Sequence, residues 1–263
     1  MKDKYLVIVA FFLLVQSTYA QSNSFLKIFD NGELGKEYVG GIYNEKDSIK
    51  LFSSKTMNEN LDGGINLRSI SKQLGTFENL YTQNINQSEN YSITNTCRVI
   101  DKYIFTGFHK TAPFVSDNNY FLFGFENGKK IFNVVLGKEN ISDISRGITV
   151  DNERNIIISG HVWQKNSEFD YDAFVSKHDT LGNTIWHTVI PARYSNLIPY
   201  SVTTDNENNI YALANVDGFG QGIRHIKLIK LDTHGDTIWT KPYIGGSGIV
   251  SNIIFNRRGN LLA

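Results

Sequence analysis

Residues 178–188 read "HDTLGNTIWHT" and residues 231–240 read "LDTHGDTIWT". The shared Asp-Thr-x-Gly-x-Thr-Ile-Trp core either gathers catalytic groups or marks a unit used repeatedly. A test for internal periodicity decides between them. Gly182 aligns with Gly75 in "SKQLGTFEN", Gly128 in "FENGKKIF" and Gly235 in "DTHGDTIW", at successive spacings of 53, 54 and 53. A second ladder runs through Asp47, Asp101, Asp151, Asp205 and Asn256, at spacings of 54, 50, 54 and 51. Two interleaved ladders share one period, so the opening stretch belongs to a repeat.

Within a period the pattern is one of four short strands. In the third unit these are "GITV", "NIIISG", "DAFVSKH" and "NTIWHTVI", separated by turns rich in Asp, Asn and Gly. Helical repeats of similar period need apolar residues spaced near 3.6, and these segments do not show that pattern. Composition agrees: 28 Asn and only 8 Ala disfavour long helices. Four strands in about fifty residues, repeated, predict an all-β chain folded as a β-propeller of four-stranded antiparallel blades. The blades fall at about 37–90, 91–143, 144–197 and 198–249, with a partial fifth at 250–263. Residues 24–29, "SFLKIF", read as a lone outer strand for that last blade. The expectation is four complete blades in a shortened or truncated ring; a four-bladed ring with extra terminal strands is the competing arrangement.

The chain opens with Lys2 and Lys4, an apolar run from Tyr5 to Val15, and small residues at Thr18 and Ala20. That predicts a signal peptide over 1–20, cleaved near Ala20, and a secreted product in the medium or periplasm. The run falls short of the roughly 20 residues of a spanning helix, and the domain at 21–263 contains no other candidate span. Cys97 is the single cysteine, so no intrachain disulfide is available and stability must come from packing. Its place in "SITNTCRVI" reads as a buried strand thiol. Lys and Arg equal Asp and Glu at 26 each, which argues against a nucleic-acid partner.

"DNERNIIISG" and "DNENNIYAL" resemble the turn and strand of secreted bacterial propellers with SBBP-like repeats. "KLDTHGDTIWTKPYIGG" is similar both to those and to quinoprotein-like repeats. The resemblance covers the four units, most clearly the third and fourth, and implies fold more than activity. Such proteins are often exported by type IX secretion and carry a sorting domain; no such domain is read in this sequence.

The residues that could carry chemistry have structural explanations. "GGSGI" at 245–249 lacks the spacing of a hydrolase elbow, and no strong zinc signature occurs. "DGFGQGIR" at 217–224 is expected to be a loop between the second and third strands of unit four. The turns "DNERN" and "DNENN" invite calcium, but turn geometry already explains their aspartates. His109 and His161 follow the second strands of adjacent units, one position out of register, and are expected in solvent-facing loops. His178 and His187 are expected as surface side chains with a structural role. Asp170 and Asp172 would share a strand face as a carboxylate pair might, yet are expected to be solubilising. Asn86, Asn90 and Asn140 stand in glycosylation sequons. Trp186, Trp239 and Phe132 occupy one repeat position and are expected to pack on the next blade. No residue is assigned as catalytic, cofactor-binding or metal-ligating, and no cofactor is implied.

The functional expectation is a secreted, non-enzymatic binding or scaffold module, monomeric, engaging an unknown protein or glycan at a propeller rim. The alternatives are a glycan-active hydrolase or lyase, a quinoprotein-like dehydrogenase, or a fragment of a longer propeller without function of its own.

Overall fold

The structure is a computed structural model that describes residues 36–56, 63–71, 77–85, 90–110, 118–127, 129–137, 141–164, 171–192, 195–218, 224–243, 252–256 and 259–262. Residues 1–20, residues 24–29, Gly75, Gly128, Asp170, residues 219–223, residues 245–249, Asn86 and Asn140 lie outside them. Among the described residues no helix is long and apolar enough to cross a membrane.

The fold is an all-β propeller. Sheet one comprises β1 (Lys36–Asn44), β2 (Ser48–Thr56), β3 (Gly63–Ser71) and β4 (Phe77–Ile85). Sheet two comprises β5 (Asn90–Val99), β6 (Lys102–Lys110), β7 (Asn118–Glu126) and β8 (Lys129–Leu136). Sheet three comprises β9 (Ile141–Val150), β10 (Ile156–Gln164), β11 (Tyr171–His178) and β12 (Thr184–Ile190). Sheet four comprises β13 (Ser195–Thr204), β14 (Ile210–Gly218), β15 (Arg224–Leu231) and β16 (Thr237–Tyr243). Each is an antiparallel meander, and β17 (Ile254–Phe255) pairs β18 (Leu261–Leu262) as two strands of a fifth sheet.

Burial explains why the sheets stand face to face. In β7 the six residues Tyr120 to Phe125 are buried without alternation, as both faces of the sheet are covered. Apolar clusters fill the space between consecutive sheets. Phe52, Tyr103, Phe105, Phe123 and Phe125 join sheets one and two; Ile104, Leu122, Ile148, Ile156 and Phe174 join two and three. Ile157, Val175, Val202, Ala212 and Ile229 join three and four, and Leu213, Leu228 and Ile253 join four to the fifth. Neighbouring sheets approach along their innermost strands, β1 to β5, β5 to β9, β9 to β13 and β13 to β17, while the outer strands β8, β12 and β16 are not close neighbours. Sheets that meet inside and diverge outside fan about an axis.

Two β-bulges recur in every complete blade. On the innermost strands the register shifts at Gly40, Thr94, Arg146 and Tyr200, spaced 54, 52 and 54 apart. Opposite the bulges of β5 and β9 stand Gly107 and Gly160, where a Cβ would lie 1.8 Å from the Ser92 carbonyl oxygen and 2.2 Å from that of Ile144. On the outermost strands the shift falls at Leu80, Ile131, Ile185 and Ile238, the Ile of each "TIW" included. A bulge adds one residue against the partner strand and turns neighbouring side chains.

The inner bulge corrects the strand lengths. "GITV" is only the last part of β9, which starts at Ile141, three residues before the unit boundary expected at Ile144. Likewise β5 and β13 start at Asn90 and Ser195 rather than 91 and 198. The extra residue breaks the two-residue alternation, so a pattern read from sequence stops where the strand continues.

The turn of the opening stretch is also repeated. Asp151, Asp179, Asp205 and Asp232 each accept, at Oδ1, the backbone N–H groups two and four residues on. The residue three positions after the aspartate has positive φ: Arg154, Gly182, Asn208 and Gly235 at 72°, 86°, 63° and 90°. A carboxylate that satisfies two backbone donors explains why Asp recurs there. The outer-strand aromatic then packs under the glycine of the next blade. A Cβ on Gly182 would lie 3.1 Å from Phe132, and one on Gly235 2.8 Å from Trp186, whose Nε1 donates to the Thr233 carbonyl at 3.1 Å.

Candidate functional site

The inner bulges carry Thr94, Arg146 and Tyr200 out of the ladder on three successive blades. Thr94 is tied down: its hydroxyl donates to the Ser145 carbonyl of the next blade at 2.8 Å. Beside it the Asn95 amide donates to the Arg146 carbonyl at 3.3 Å. Below them Ser145 and Thr106, both fully buried, join through their hydroxyls at 2.7 Å. The free edge of β9 at this level is therefore covered by side chains of the preceding blade.

Arg146 is half-buried, with its guanidinium carbon 4.7 Å from the centre of the Tyr200 ring on the next blade. Such a cation–π contact attracts the guanidinium to the ring face. Its Nε donates to Nδ1 of His161 at 3.4 Å. His161 is 3% exposed and meets the edge of the Tyr171 ring at 5.0 Å. Burial, and then the charge of Arg146, lower its pKa to about 3, so the ring is neutral and can accept. Tyr171 is held in turn by its own N–H, which donates to Asn196 Oδ1 on β13. No ion pair among the described residues involves Arg146. Arg98 differs in lying near Glu45 and Asp101.

The histidines are not where the sequence pattern put them. His109 and His161 lie inside β6 and β10 and are buried, not in solvent-facing loops. The strands run several residues beyond the glycine expected to end them, because that glycine faces a bulge. Gly107 and Gly160 occupy one repeat position, so His109 and His161, two and one residues later, stand on opposite faces of their sheets. The two do not form one site.

His178 is fully buried rather than on the surface. It ends β11, one strand in from the edge, where the next turn folds over it. Its Nε2 meets the Ser176 hydroxyl at 2.9 Å, and the Tyr120 hydroxyl of the previous blade also bonds Ser176. Burial lowers the His178 pKa to about 4 and pushes Tyr120 up to about 12. This Ser–His contact resembles a nucleophile and base, but neither residue has any exposed surface for a substrate to reach. His187 is exposed and stacks on Phe174 at 5.2 Å.

Other candidates are committed to structure. Asp172 accepts the Ala192 N–H at 2.8 Å, closing the link from sheet three to sheet four. Asp151 takes Lys177 Nζ at 2.8 Å, with both side chains buried. Burial pushes the Asp151 carboxyl up, and bonds from Lys177 and Asn155 outweigh that and hold it below the usual carboxylate range. Cys97 packs against the cluster between sheets two and three, and burial raises its thiol pKa. Of the stretch 217–224, Asp217 and Gly218 end β14 and Arg224 begins β15, and the rest lies outside the described residues. Sequence reasoning missed the Arg146–Tyr200 pair: the inner bulge positions hold Gly, Thr, Arg and Tyr, so only their spacing recurs.

No protein-family model matches the chain, and no curated protein matches it. Among the solved structures similar to it are two at 8% identity over 87% of this chain. One is a crystal structure of a GH43_1 enzyme from Xanthomonas citri, covered over 93% with a TM-score of 0.43. The other is that enzyme complexed with xylotriose, covered over 92% with a TM-score of 0.42.

Proposed function

We propose that this chain is a secreted, non-enzymatic binding module whose ligand seats on the innermost strands around Arg146 and Tyr200. The observation that carries this reading is the half-buried guanidinium stacked on a tyrosine at a bulge, without an ion-pair partner among the described residues. Among the described residues, several polar groups that could do chemistry are committed elsewhere. The turn carboxylates serve backbone amides, Asp172 closes a link, and the Ser176–His178 pair is sealed between blades. A glycosidase would need two carboxyl groups about 5–10 Å apart across a substrate, a pairing different from this arginine-centred cluster. Export follows from the N-terminal segment, through which an SBBP-like secreted propeller would reach its partner.

The test pairs binding with turnover on the purified chain. A panel of neutral and acidic oligosaccharides and peptides is screened by thermal shift, because a ligand that binds only the folded state raises its melting temperature. At least one class stabilises the chain, and the Arg146→Ala and Tyr200→Ala variants lose that response. Release of reducing ends from the same oligosaccharides, or no stabilisation by any of them, would overturn the reading.

A further inference from the structure

We infer that Arg146 anchors a carboxylate, and that the ligand is an acidic sugar; this rests on the binding reading above. The Arg146 Nε–H is engaged by His161, and the central carbon of the guanidinium lies over the Tyr200 ring. Among the described residues its terminal Nη groups make no hydrogen bond or ion pair, and a planar fork of two N–H donors matches the two oxygens of a carboxylate. The fork is set before any ligand arrives. His161 is held by burial and against the Tyr171 ring, and the Tyr171 backbone N–H donates to Asn196 on the next blade. A donor pair already fixed in place loses little freedom on binding.

The surroundings favour a sugar over a peptide. An extended peptide gains affinity by adding a strand to a free sheet edge. Here that edge is occupied, because Thr94 and Asn95 already bond the Ser145 and Arg146 carbonyls of β9. The bulge at Arg146 also breaks the regular spacing a new strand would need. A ligand that brings a single planar anion, and no ladder of amides, fits this surface. A uronic acid within a glycan is such a ligand, and a small free organic acid shares the same anchoring group.

Isothermal titration of the purified chain tests this with trigalacturonate, its methyl ester, neutral trigalactose, citrate, and a hexaglutamate peptide. Trigalacturonate should bind with a dissociation constant on the order of 0.1–1 mM, as one charge-assisted fork with little further contact allows. Its ester and trigalactose should bind at least about tenfold more weakly, a comparison made on the unaltered protein. Arg146→Lys, which keeps the charge and loses the fork, should weaken trigalacturonate about tenfold. Lys241→Ala on the outer strand should leave it unchanged. Citrate binding with equal or greater strength would mark a free organic acid as the ligand and overturn the sugar. Stronger binding of hexaglutamate would do the same in favour of a peptide. Equal binding of ester and acid would overturn the carboxylate anchor while leaving the binding reading intact. Failure of every acid to bind would also overturn this inference, and the wider panel would then judge the binding reading separately.

Discussion

At the scale of single residues, the positive-φ turn separates two costs. A non-glycine residue in the left-handed region costs about 1–2 kcal/mol. Gly259 has φ of 75°, and a Cβ added there would meet nothing within 4 Å, so Gly259→Ala should lose only about that much. Gly235 has φ of 90°, and a Cβ added there would lie 2.8 Å from Trp186 and 2.9 Å from the Thr188 hydroxyl. Gly235→Ala should therefore lose roughly 3 kcal/mol or more, because the neighbouring blade must also move. Urea unfolding of the two variants checks the difference. A buried ion pair gives a second prediction. Asp151→Asn strands the Lys177 ammonium among buried neighbours, with only the exposed Glu153 at 3.7 Å in partial compensation. It should lose about 3 kcal/mol, and adding Lys177→Met should restore most of that. If the double variant is no more stable than the single one, the loss comes from the turn and not from the charge.

At the scale of elements, buried histidines at strand positions make the blade interfaces sensitive to acid. His161 and His178 have folded pKa values of about 3 and about 4, against 6.5 when exposed. Below pH 6.5 the unfolded chain binds protons that the folded chain refuses, so stability falls as pH drops from 6.5 towards 4. The slope is up to about 1.4 kcal/mol per pH unit for each histidine. The turn aspartates have lowered pKa values, so their stabilisation is present above the ordinary carboxylate range and is lost below it. Denaturant midpoints should decline as the solution is taken from neutral to acid, and His178→Gln should flatten the decline. A midpoint independent of pH over this range contradicts the buried, neutral assignment. Element by element, the hairpin turns and the Trp-to-next-blade contact were legible, because Asp, Gly and Trp have one physical use at those positions. The histidine environments were not, because a bulge shifts the register and with it which face a residue joins.

At the scale of the whole molecule, each complete sheet is buried on the faces that meet its neighbours, whereas the fifth has only β17 and β18 among the described residues. Two paired strands gain little by themselves. They rest on sheet four through Ile253, Leu261 and Trp239, and through Asn252, which accepts the Ser201 hydroxyl at 2.8 Å. Amide hydrogens of β17 and β18 should exchange orders of magnitude faster than those of β6, β7, β10 and β14, whose protection should approach the global unfolding limit. Equal protection throughout would mean that the fifth sheet is as firmly held as the rest. The sequence alone determined the all-β class, the fifty-residue period, the four-strand blade and the turn chemistry. These depend on local propensity and on residue types that one backbone geometry demands at every repeat. Only the tertiary structure decided that Arg146, Tyr200, His161 and Tyr171 meet, since they come from four strands of two blades. The bulge that gathers them is a property of backbone register, compatible with Gly, Thr, Arg or Tyr alike, and so it leaves no residue signature along the chain.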